Sequence, residues 1–299
     1  MTHDVRSYYD AVTKRFVRTG GASQRTGHLH RALRDPSGKF GREATEVVYN
    51  LIRREIDNLG PPQNVGEPTA IADLGCGVGA GMEWFARRLN RPVVGITLSS
   101  VQAALARRRF GPRVAVTIGS FLDKTALSKM SAGHKVGAAY MVESFTHAEN
   151  AASLFSRLSD VVEPNGALVI CDDFPTLANT VGVRNKATAK GHHMRHHHTT
   201  EGLQREFRWG WHINSWITTD QVADAAQDAG WRLENRSDLS DLVLQNRPRD
   251  LVARIAAPVA RRLGLSGPYW RNVRGGAALQ RLIRRRRLRY VMLVFRRQP

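Results

Sequence analysis

Short apolar runs alternate with amphipathic stretches through the middle of the chain. Five of the runs have the length and composition of β-strands: Ile71–Leu74, Pro92–Ile96, Val114–Ile118, Val136–Val142 and Ala167–Cys171. The stretches between them include a helix ending at Leu89 and two more at Ser99–Phe110 and Ala148–Val162. Strands that alternate with helices at this spacing predict an α/β fold, with a parallel sheet covered by helices on both faces.

Both ends of the chain depart from this alternation. Residues 5–18 predict an amphipathic helix, since Tyr8, Val12 and Phe16 recur every four positions, and 41–59 predict a second helix. Two late strands are predicted at Trp231–Leu239 and Leu288–Phe295, with arginine-rich helices between them. We therefore expect an N-terminal helical lid over 1–60 and one core domain over 65–299, with insertions at about 175–217 and 240–287.

Composition favours a folded protein in a reducing compartment. The chain has 299 residues, 42% of them hydrophobic, which is enough for a buried core. Two cysteines, Cys76 and Cys171, are too few for a disulfide framework. The N-terminus shows no apolar signal segment, and no run of about eighteen apolar residues occurs. We expect a cytoplasmic protein without a membrane span. The sequence does not fix its oligomeric state.

Positive charge is concentrated at the C-terminal end. The formal net charge is +19, and residues 247–299 carry +14 of it, with fifteen arginines, no lysine and one acid, Asp250. Four interpretations are open: arginines that bind an anionic acceptor such as a diphosphate, arginines on nucleic-acid phosphates, a membrane-surface or partner-binding face, or a solvated helix face.

A glycine-rich turn follows the first predicted strand. It reads Asp73-Leu-Gly-Cys-Gly-Val-Gly79 and opens a helix, as expected where a backbone approaches a nucleotide closely. Gly75, Gly77 and Ala80 also fit the dinucleotide fingerprint. That fingerprint needs an acid at the end of the second strand, where this chain has Ile96-Thr97-Leu98. A nicotinamide cofactor is therefore disfavoured.

These residues resemble motif I of the class I S-adenosylmethionine-dependent methyltransferases. The segment Gly95-Ile-Thr-Leu-Ser-Ser-Val-Gln102 resembles the second motif of the small-molecule branch, which includes sterol, cyclopropane-fatty-acid and prenyl-diphosphate C-methyltransferases. The resemblance covers roughly residues 65–175. It implies S-adenosylmethionine as cofactor and a Rossmann-like seven-stranded sheet, mostly parallel with an antiparallel last strand.

The resemblance also assigns residues to the cofactor. Those expected around it are Asp73, Gly75, Cys76, Gly77, Gly79, Thr97, Leu98, Gln102, Ser120 and Phe121. Asp73 is expected near the amino group and Phe121 against the adenine. After the third strand the family usually has an Asp, where this chain has Ser120, and Asp123 comes slightly later. We therefore assign no adenine contact to Asp123.

Acceptor residues are expected after the fourth strand and in the lid. Glu143 lies where the prenyl-diphosphate C-methyltransferases place a Glu that stabilises a carbocation, although a cofactor or capping contact is the alternative. His147 is a candidate proton acceptor. The candidate wall residues are Tyr8, Tyr9, Trp209 and Trp211, with packing on the core as the other interpretation.

A histidine cluster is a candidate metal site. Its members are His192, His193, His196, His197 and His198. No cysteine and few acids accompany them, and the spacing matches no closed site, so we predict no metal.

We expect a methyltransferase of specialised metabolism that methylates a carbon of an isoprenoid, with prenyl diphosphates among the candidates. O- or N-methylation of another small molecule is the alternative. Nucleic acid is disfavoured, because the Asn- or Asp-Pro-Pro-aromatic motif common in nucleic-acid methyltransferases is replaced by Met141-Val-Glu-Ser.

Overall fold

The computed structural model describes residues 5–11, 13, 29–35, 44–60, 69–89, 91–176, 199–245 and 247–299. Its centre is a seven-stranded sheet in the order β3-β2-β1-β4-β5-β7-β6. The strands are β1 Ile71–Leu74, β2 Val93–Thr97, β3 Ala115–Ile118, β4 Val136–Val142, β5 Val162–Pro175, β6 Trp231–Asp238 and β7 Leu288–Arg297.

Helices connect most of these strands and cover both faces of the sheet. Residues 5–11 and 13 are helical, and we call them the N-terminal segment. The longer helices are α1 Val47–Leu59, α2 Ala80–Arg88, α3 Ser100–Phe110, α4 Lys124–Met130, α5 Ala151–Val161, α6 Thr200–Trp211, α7 Thr219–Asp228, α8 Pro248–Arg262 and α9 Pro268–Arg284.

Strand directions confirm the expected fold class. The pairs β3–β2, β2–β1, β1–β4 and β4–β5 are parallel, whereas β7 lies antiparallel between β5 and β6. Chain order reverses at β1, which lies between β2 and β4. In an open parallel sheet such a switch point leaves a crevice beyond the carboxyl ends of the strands, and ligands bind there. This topology fixes where the site must be sought.

Apolar side chains of the sheet pack into two layers, one on each face. On one face Ile52 of α1 and Phe85 of α2 are fully buried. On the other, Phe155 of α5 packs against Trp231 and Phe295, with ring centroids 6.0 and 5.0 Å away. A third, smaller cluster joins α6 to α9 beside the start of β7; it includes Leu203, Phe207, Leu279 and Leu282. The accessory helices therefore have a core of their own.

Most predicted elements are found, with shifted ends. β5 is longer than predicted and reaches Pro175, while α1 begins at Val47 rather than residue 41. Helices α4 and α6 were not predicted. Phe16 and the histidine cluster lie outside the described residues. Over the part of the chain that is described, no helix is long and apolar enough to cross a bilayer.

The packing of Phe155 gives a stability prediction. Phe155→Ala removes a fully buried ring from the layer between α5 and the sheet, so we expect the free energy of unfolding to fall by about 3–5 kcal/mol. Ile118→Ala is the control, since Ile118 is 42% exposed, and its effect should stay within about 0.5 kcal/mol. Urea unfolding monitored by circular dichroism measures both; equal effects would contradict this account of the core.

Candidate cofactor and acceptor site

The glycine turn after β1 adopts a conformation that side chains resist. Gly75 has φ +96°, and a Cβ atom there would lie 2.5 Å from Cβ of Ser144. The Ser144 hydroxyl donates a hydrogen bond of 2.6 Å to the carbonyl of Leu74. Gly79, with φ 76°, is the N-cap of α2. Both glycines therefore serve the tight passage from strand to helix.

Asp73, near the end of β1, is a buried carboxylate facing the turn. It accepts a hydrogen bond of 2.8 Å from the Tyr140 hydroxyl on the neighbouring β4. Burial raises the pKa of Asp73 to about 7, against the smaller opposing effect of this hydrogen bond. A carboxylate in this state gains from a cationic partner, because the partner's charge offsets the desolvation.

The end of β2 is tied to the N-terminal segment. Thr97 Oγ1 donates to Gln102 Oε1 at 2.8 Å, and Gln102 Nε2 donates to Thr13 Oγ1 at 3.1 Å. Ser99 caps α3 and also donates a hydrogen bond to Asp10. The N-terminal segment is thus hydrogen-bonded to Gln102, one of the residues expected around the cofactor, and to the nearby Ser99.

Residues after β3 take separate roles. Phe121 is buried at the pocket wall, as expected of an aromatic contact. The Ser120 hydroxyl accepts from the Leu122 amide. Asp123 accepts from the amides of Thr125 and Ala126 and is the N-cap of α4, which accounts for an acid at this displaced position.

One pocket brings most of the expected residues together. It opens at the carboxyl ends of β1, β2 and β4, under the N-terminal segment. Its lining includes Asp73, Gly75, Cys76, Gly77, Thr97, Leu98, Gln102, Phe121, Glu143, His147, Tyr8, Tyr9 and Trp211. Gly79, Ser120 and Trp209 do not line it. Trp209 is 36% exposed, and its ring lies beneath the guanidinium groups of Arg271 and Arg274, so the structure does not bring it together with the other expected wall residues.

Glu143 occupies a strained position directly after β4. Its φ is 53°, in the left-handed region that non-glycine residues rarely adopt. Oε1 accepts hydrogen bonds from the backbone N and the Nε of Arg31, at 2.9 and 3.0 Å. Among the described residues no hydrogen bond reaches Oε2, and Glu143 lines the pocket. Strain held by surrounding contacts is typical of functional positions.

Arg31 joins Glu143 to a second carboxylate on β5. Its Nη1 and Nη2 donate to the two oxygens of Asp173, at 2.9 and 2.5 Å, and its guanidinium lies 4.4 Å from the ring centroid of Tyr290. Burial tends to raise the pKa of Glu143, but the charge of Arg31 outweighs it, so that pKa lies below its usual value. Glu143 is therefore an ionised carboxylate held in place by a buried arginine.

Asp172 lies beside this network and differs in protonation. It accepts hydrogen bonds from the Thr146 amide and from the amide of Asp173. Burial, and next the charge of Asp173, raise the pKa of Asp172 to about 7. Since Glu143, Asp172 and Asp173 face a single arginine, the acceptor end of the pocket carries excess negative charge.

His147 and Tyr9 form a buried hydrogen-bonded pair. His147 Nδ1 lies 3.1 Å from the carbonyl of His212, which can only accept, so Nδ1 carries the proton. Nε2 is then an acceptor, and the Tyr9 hydroxyl donates to it at 2.6 Å. Burial lowers the pKa of His147 to about 4, so the imidazole is neutral at pH 7.

Helix α9 completes the pocket wall. Asn272 donates from Nδ2 to the Tyr8 hydroxyl at 2.8 Å, and its carbonyl accepts from the Trp211 indole at 3.2 Å. The Tyr8 ring packs against Tyr9 and His212, with centroids 5.3 and 4.6 Å away. The wall is therefore aromatic, and hydrogen bonds and ring contacts join its side chains.

Four residues of the site were missed by the sequence analysis: Arg31, Asp172, Asp173 and Asn272. Asp172 and Asp173 follow the predicted fifth strand at the ligand-facing end, so strand position alone could have drawn attention to them. Arg31 lies in an irregular segment with no periodicity, and Asn272 lies among many arginines. Nothing in the sequence separates those two from their neighbours.

Comparison with known proteins finds a methyltransferase domain within the chain. Residues 71–166 match a family model described as a methyltransferase domain. An O-methyltransferase of Penicillium expansum is 29% identical over 184 residues, covering 58% of this chain and 63% of that protein. Residues 71–166 are therefore similar to the domain of class I S-adenosylmethionine-dependent methyltransferases. The match spans less than two thirds of this relative's length.

Other relatives show how far the likeness extends. The geranyl diphosphate 2-C-methyltransferase of Streptomyces lasalocidi is 39% identical over 87 residues, 27% of each chain. Among solved structures, the geranyl diphosphate C-methyltransferase of Streptomyces coelicolor has a TM-score of 0.64 at 16% identity, covering 99% of this chain and 97% of that one. The cyclopropane synthase MmaA2 of Mycobacterium tuberculosis has 0.69 at 18%, covering 99% and 98%. At these identities the structures show a shared fold.

The pocket fits the family's cofactor, S-adenosylmethionine. Its sulfonium and amino groups are cationic, and Asp73 and Glu143 supply buried negative charge at one end. Gly75, Cys76 and Gly77 line the pocket and form a glycine cradle, in which Gly75 packs so closely on Ser144 that a Cβ there would clash with it. Phe121, Thr97 and Gln102 line the same pocket, and Phe121 would offer an aromatic surface to the adenine.

The glycine cradle generates a binding prediction. Gly75→Ala forces a methyl group to within 2.5 Å of Ser144 at a φ of +96°. We expect at least about a tenfold loss of S-adenosylhomocysteine affinity, a cost of about 1.4 kcal/mol. Gly267→Ala is the matched control, because a Cβ at Gly267 meets nothing within 4 Å. Isothermal titration calorimetry measures both, and unchanged affinity of Gly75→Ala would contradict the proposed cradle.

Asp172 makes stability depend on pH. Its pKa is about 7 in the folded state, against 3.8 for an ordinary aspartate, so between these values the folded protein holds a proton that the unfolded chain has released. The free energy of unfolding therefore falls as pH rises through this window. Asp172→Asn should make this fall shallower and gain about 2–4 kcal/mol relative to the parent by pH 8, while Asp73, whose pKa is also about 7, accounts for a fall that remains. Urea unfolding from pH 4 to 8 measures it; the exposed Asp228→Asn should parallel the parent, and a parallel Asp172→Asn curve would refute the assignment.

Proposed function

We propose that this protein transfers the methyl group of S-adenosylmethionine to a carbon of a neutral, apolar small molecule of the isoprenoid class. The observation that carries the proposal is the ionised Glu143, held by Arg31 with one oxygen accessible to an aromatic-walled pocket. When bound, the cofactor supplies an electrophilic methyl group on a sulfonium sulfur.

Pocket charge supports a neutral acceptor over a diphosphate. Among the lining residues that the structure describes, Arg31 is the sole arginine or lysine. Its guanidinium is already engaged by Glu143 and Asp173. A diphosphate needs free cationic donors, and negative charge already exceeds positive charge here. The arginines of α8 and α9 do not line the pocket.

Carbon methylation of an alkene leaves positive charge on the acceptor, and this site suits that charge. A carboxylate in a dry pocket stabilises a cation more strongly than it would in water, because the effective dielectric constant is low. Oε2 of Glu143 is available for this contact, while Oε1 remains bonded to Arg31. The rings of Tyr8, Tyr9 and Trp211 line the pocket, and aromatic rings stabilise a nearby cation through their π electrons.

A second candidate, O-methylation, is favoured by the pair of Tyr9 and His147. A hydroxyl acceptor must lose its proton, and the neutral imidazole of His147 already accepts a proton-donating hydroxyl. The O-methyltransferase of Penicillium expansum adds to this possibility. Under this candidate the hydroxyl of Tyr9 relays the proton, so Tyr9→Phe should abolish turnover, whereas carbon methylation needs only the ring.

Glu143→Gln tests the principal proposal. Glutamine keeps the size of the side chain but removes its charge, so we expect turnover to fall about 10²–10³-fold, with S-adenosylhomocysteine affinity kept within about threefold. The assay uses methyl-labelled S-adenosylmethionine with a panel of neutral isoprenoids, prenyl diphosphates and phenols, read by mass spectrometry. Glu55→Gln is the control, because Glu55 is also buried but bonds Asn235 away from the pocket.

The outcomes separate the two candidates. A product from neutral isoprenoids that disappears in Glu143→Gln and survives Tyr9→Phe supports carbon methylation. A product from phenols alone, lost in Tyr9→Phe, identifies an O-methyltransferase. Turnover of Glu143→Gln equal to that of the parent would overturn the role of Glu143.

A further inference from the structure

Helix α8 exposes an apolar face to solvent. Leu251, Val252, Ile255, Val259 and Leu263, at its end, are between 50% and 66% exposed. Their spacing of three and four places them on one side of the helix. Single exposed apolar residues are ordinary, whereas five on one helical face mark an interaction surface. We call these five side chains the apolar face.

The opposite side of α8 explains why this face is directed outward. Ala257 and Ala260 are buried, and the carbonyl of Asp250 accepts a hydrogen bond from Gln280 of α9 at 3.5 Å. The small alanines allow α8 to lie close to its neighbour. The larger apolar side chains are therefore displayed rather than packed, a reversal of the usual arrangement in a globular protein.

Unpaired arginines border the apolar face. Four arginines form no ion pair among the described residues: Arg254 and Arg262 of α8, and Arg281 and Arg284 of α9. Burial, and then the nearby charges of Arg254 and Arg281, lower the pKa of Arg284, which shows that these groups lie close together. By contrast, Glu206 neutralises Arg261 and Arg274 on the inner side.

We propose that α8 docks on an anionic lipid surface, with its apolar face in the acyl region and the bordering arginines at the headgroups. An amphipathic helix with a basic margin has the composition that such binding requires. A second copy of the chain fits less well, because joining two such faces brings like-charged arginines together. Nucleic-acid phosphates would pair with the arginines but leave the apolar face in water.

Docking there would place the pocket next to the membrane. Helix α8 packs on α9, and Asn272 of α9 lines the pocket together with Trp211. If the proposed function holds, docking would bring an apolar acceptor dissolved in the bilayer to the side of the molecule where α9 forms a wall of the pocket. The docking itself is independent of methyl transfer and can be measured without it.

Vesicle co-sedimentation of the full chain tests the proposal. Vesicles of phosphatidylcholine alone are compared with vesicles containing about 30% phosphatidylglycerol, at about 0.1 M and 0.5 M salt. We expect binding to the anionic vesicles at low salt, at least about tenfold weaker binding at high salt, and little binding to neutral vesicles. Equal binding to both lipids, or none to either, would overturn the proposal.

Matched variants assign the binding to this surface. Ile255→Glu combined with Val259→Glu should abolish vesicle binding, since two carboxylates then face the acyl region. Arg262→Gln combined with Arg284→Gln should weaken it about 25-fold, about fivefold for each arginine. The control is Ile118→Glu on β3, an exposed apolar residue away from α8 at 42% exposure, and it should bind as the parent does.

Two further measurements keep the interpretation unambiguous. Thermal unfolding and S-adenosylhomocysteine affinity of the variants should match the parent, because the substituted residues are exposed. Sedimentation velocity tests the competing occupant: a dimer that becomes a monomer in Ile255→Glu/Val259→Glu would overturn the membrane assignment in favour of a second copy. Loss of vesicle binding with turnover intact would leave the proposed function untouched, and the reverse result would leave docking untouched.

Discussion

The site depends on one buried cation. Arg31 donates two hydrogen bonds to Glu143 after β4 and two to Asp173 on β5, so it closes the gap between adjacent strand ends. Without it, two buried carboxylates would face each other with no compensating charge, a situation that costs several kcal/mol. The left-handed backbone conformation of Glu143 is strained, and the hydrogen bonds from Arg31 help to hold it. The Arg31 guanidinium therefore compensates the buried carboxylate charge, holds the strained backbone of Glu143 and fixes the position of its side chain.

The N-terminal segment adds a second constraint that joins the two ends of the pocket. Thr13 and Asp10 bond Gln102 and Ser99 beside the nucleoside end, while Tyr9 bonds His147 at the acceptor end. Any opening of this cover breaks polar contacts at both ends together. The two ends of the pocket are thus joined by one hydrogen-bonded cover.

Sequence reasoning reached the sheet and the cofactor loop because those features are local. Strands such as Val136–Val142 are continuous apolar runs, and the glycines at 75 and 79 are demanded by backbone geometry within a few residues. Arg31 could not be predicted, since its partners lie 112 and 142 positions away. Trp209 shows a second limit of sequence reasoning, because the sequence does not indicate that this aromatic ring lies beneath Arg271 and Arg274 and not at the pocket. Helix α8 is harder still, because an amphipathic pattern gives no indication that the apolar side faces solvent.

The distribution of charge divides the molecule by function. Carboxylates gather at the strand ends, where a sulfonium cofactor and a developing cation both gain from them, whereas the +14 of residues 247–299 lies on helices and on β7, away from the pocket lining. If these arginines bound the acceptor, they would have to line the pocket. Their positive charge would then offset the carboxylates and weaken the attraction between the site and the cationic cofactor. Separation of the two charges is therefore consistent with a neutral acceptor. It also leaves the basic surface free for an anionic partner outside the pocket, and the apolar face of α8 makes a lipid surface the partner that satisfies both kinds of side chain.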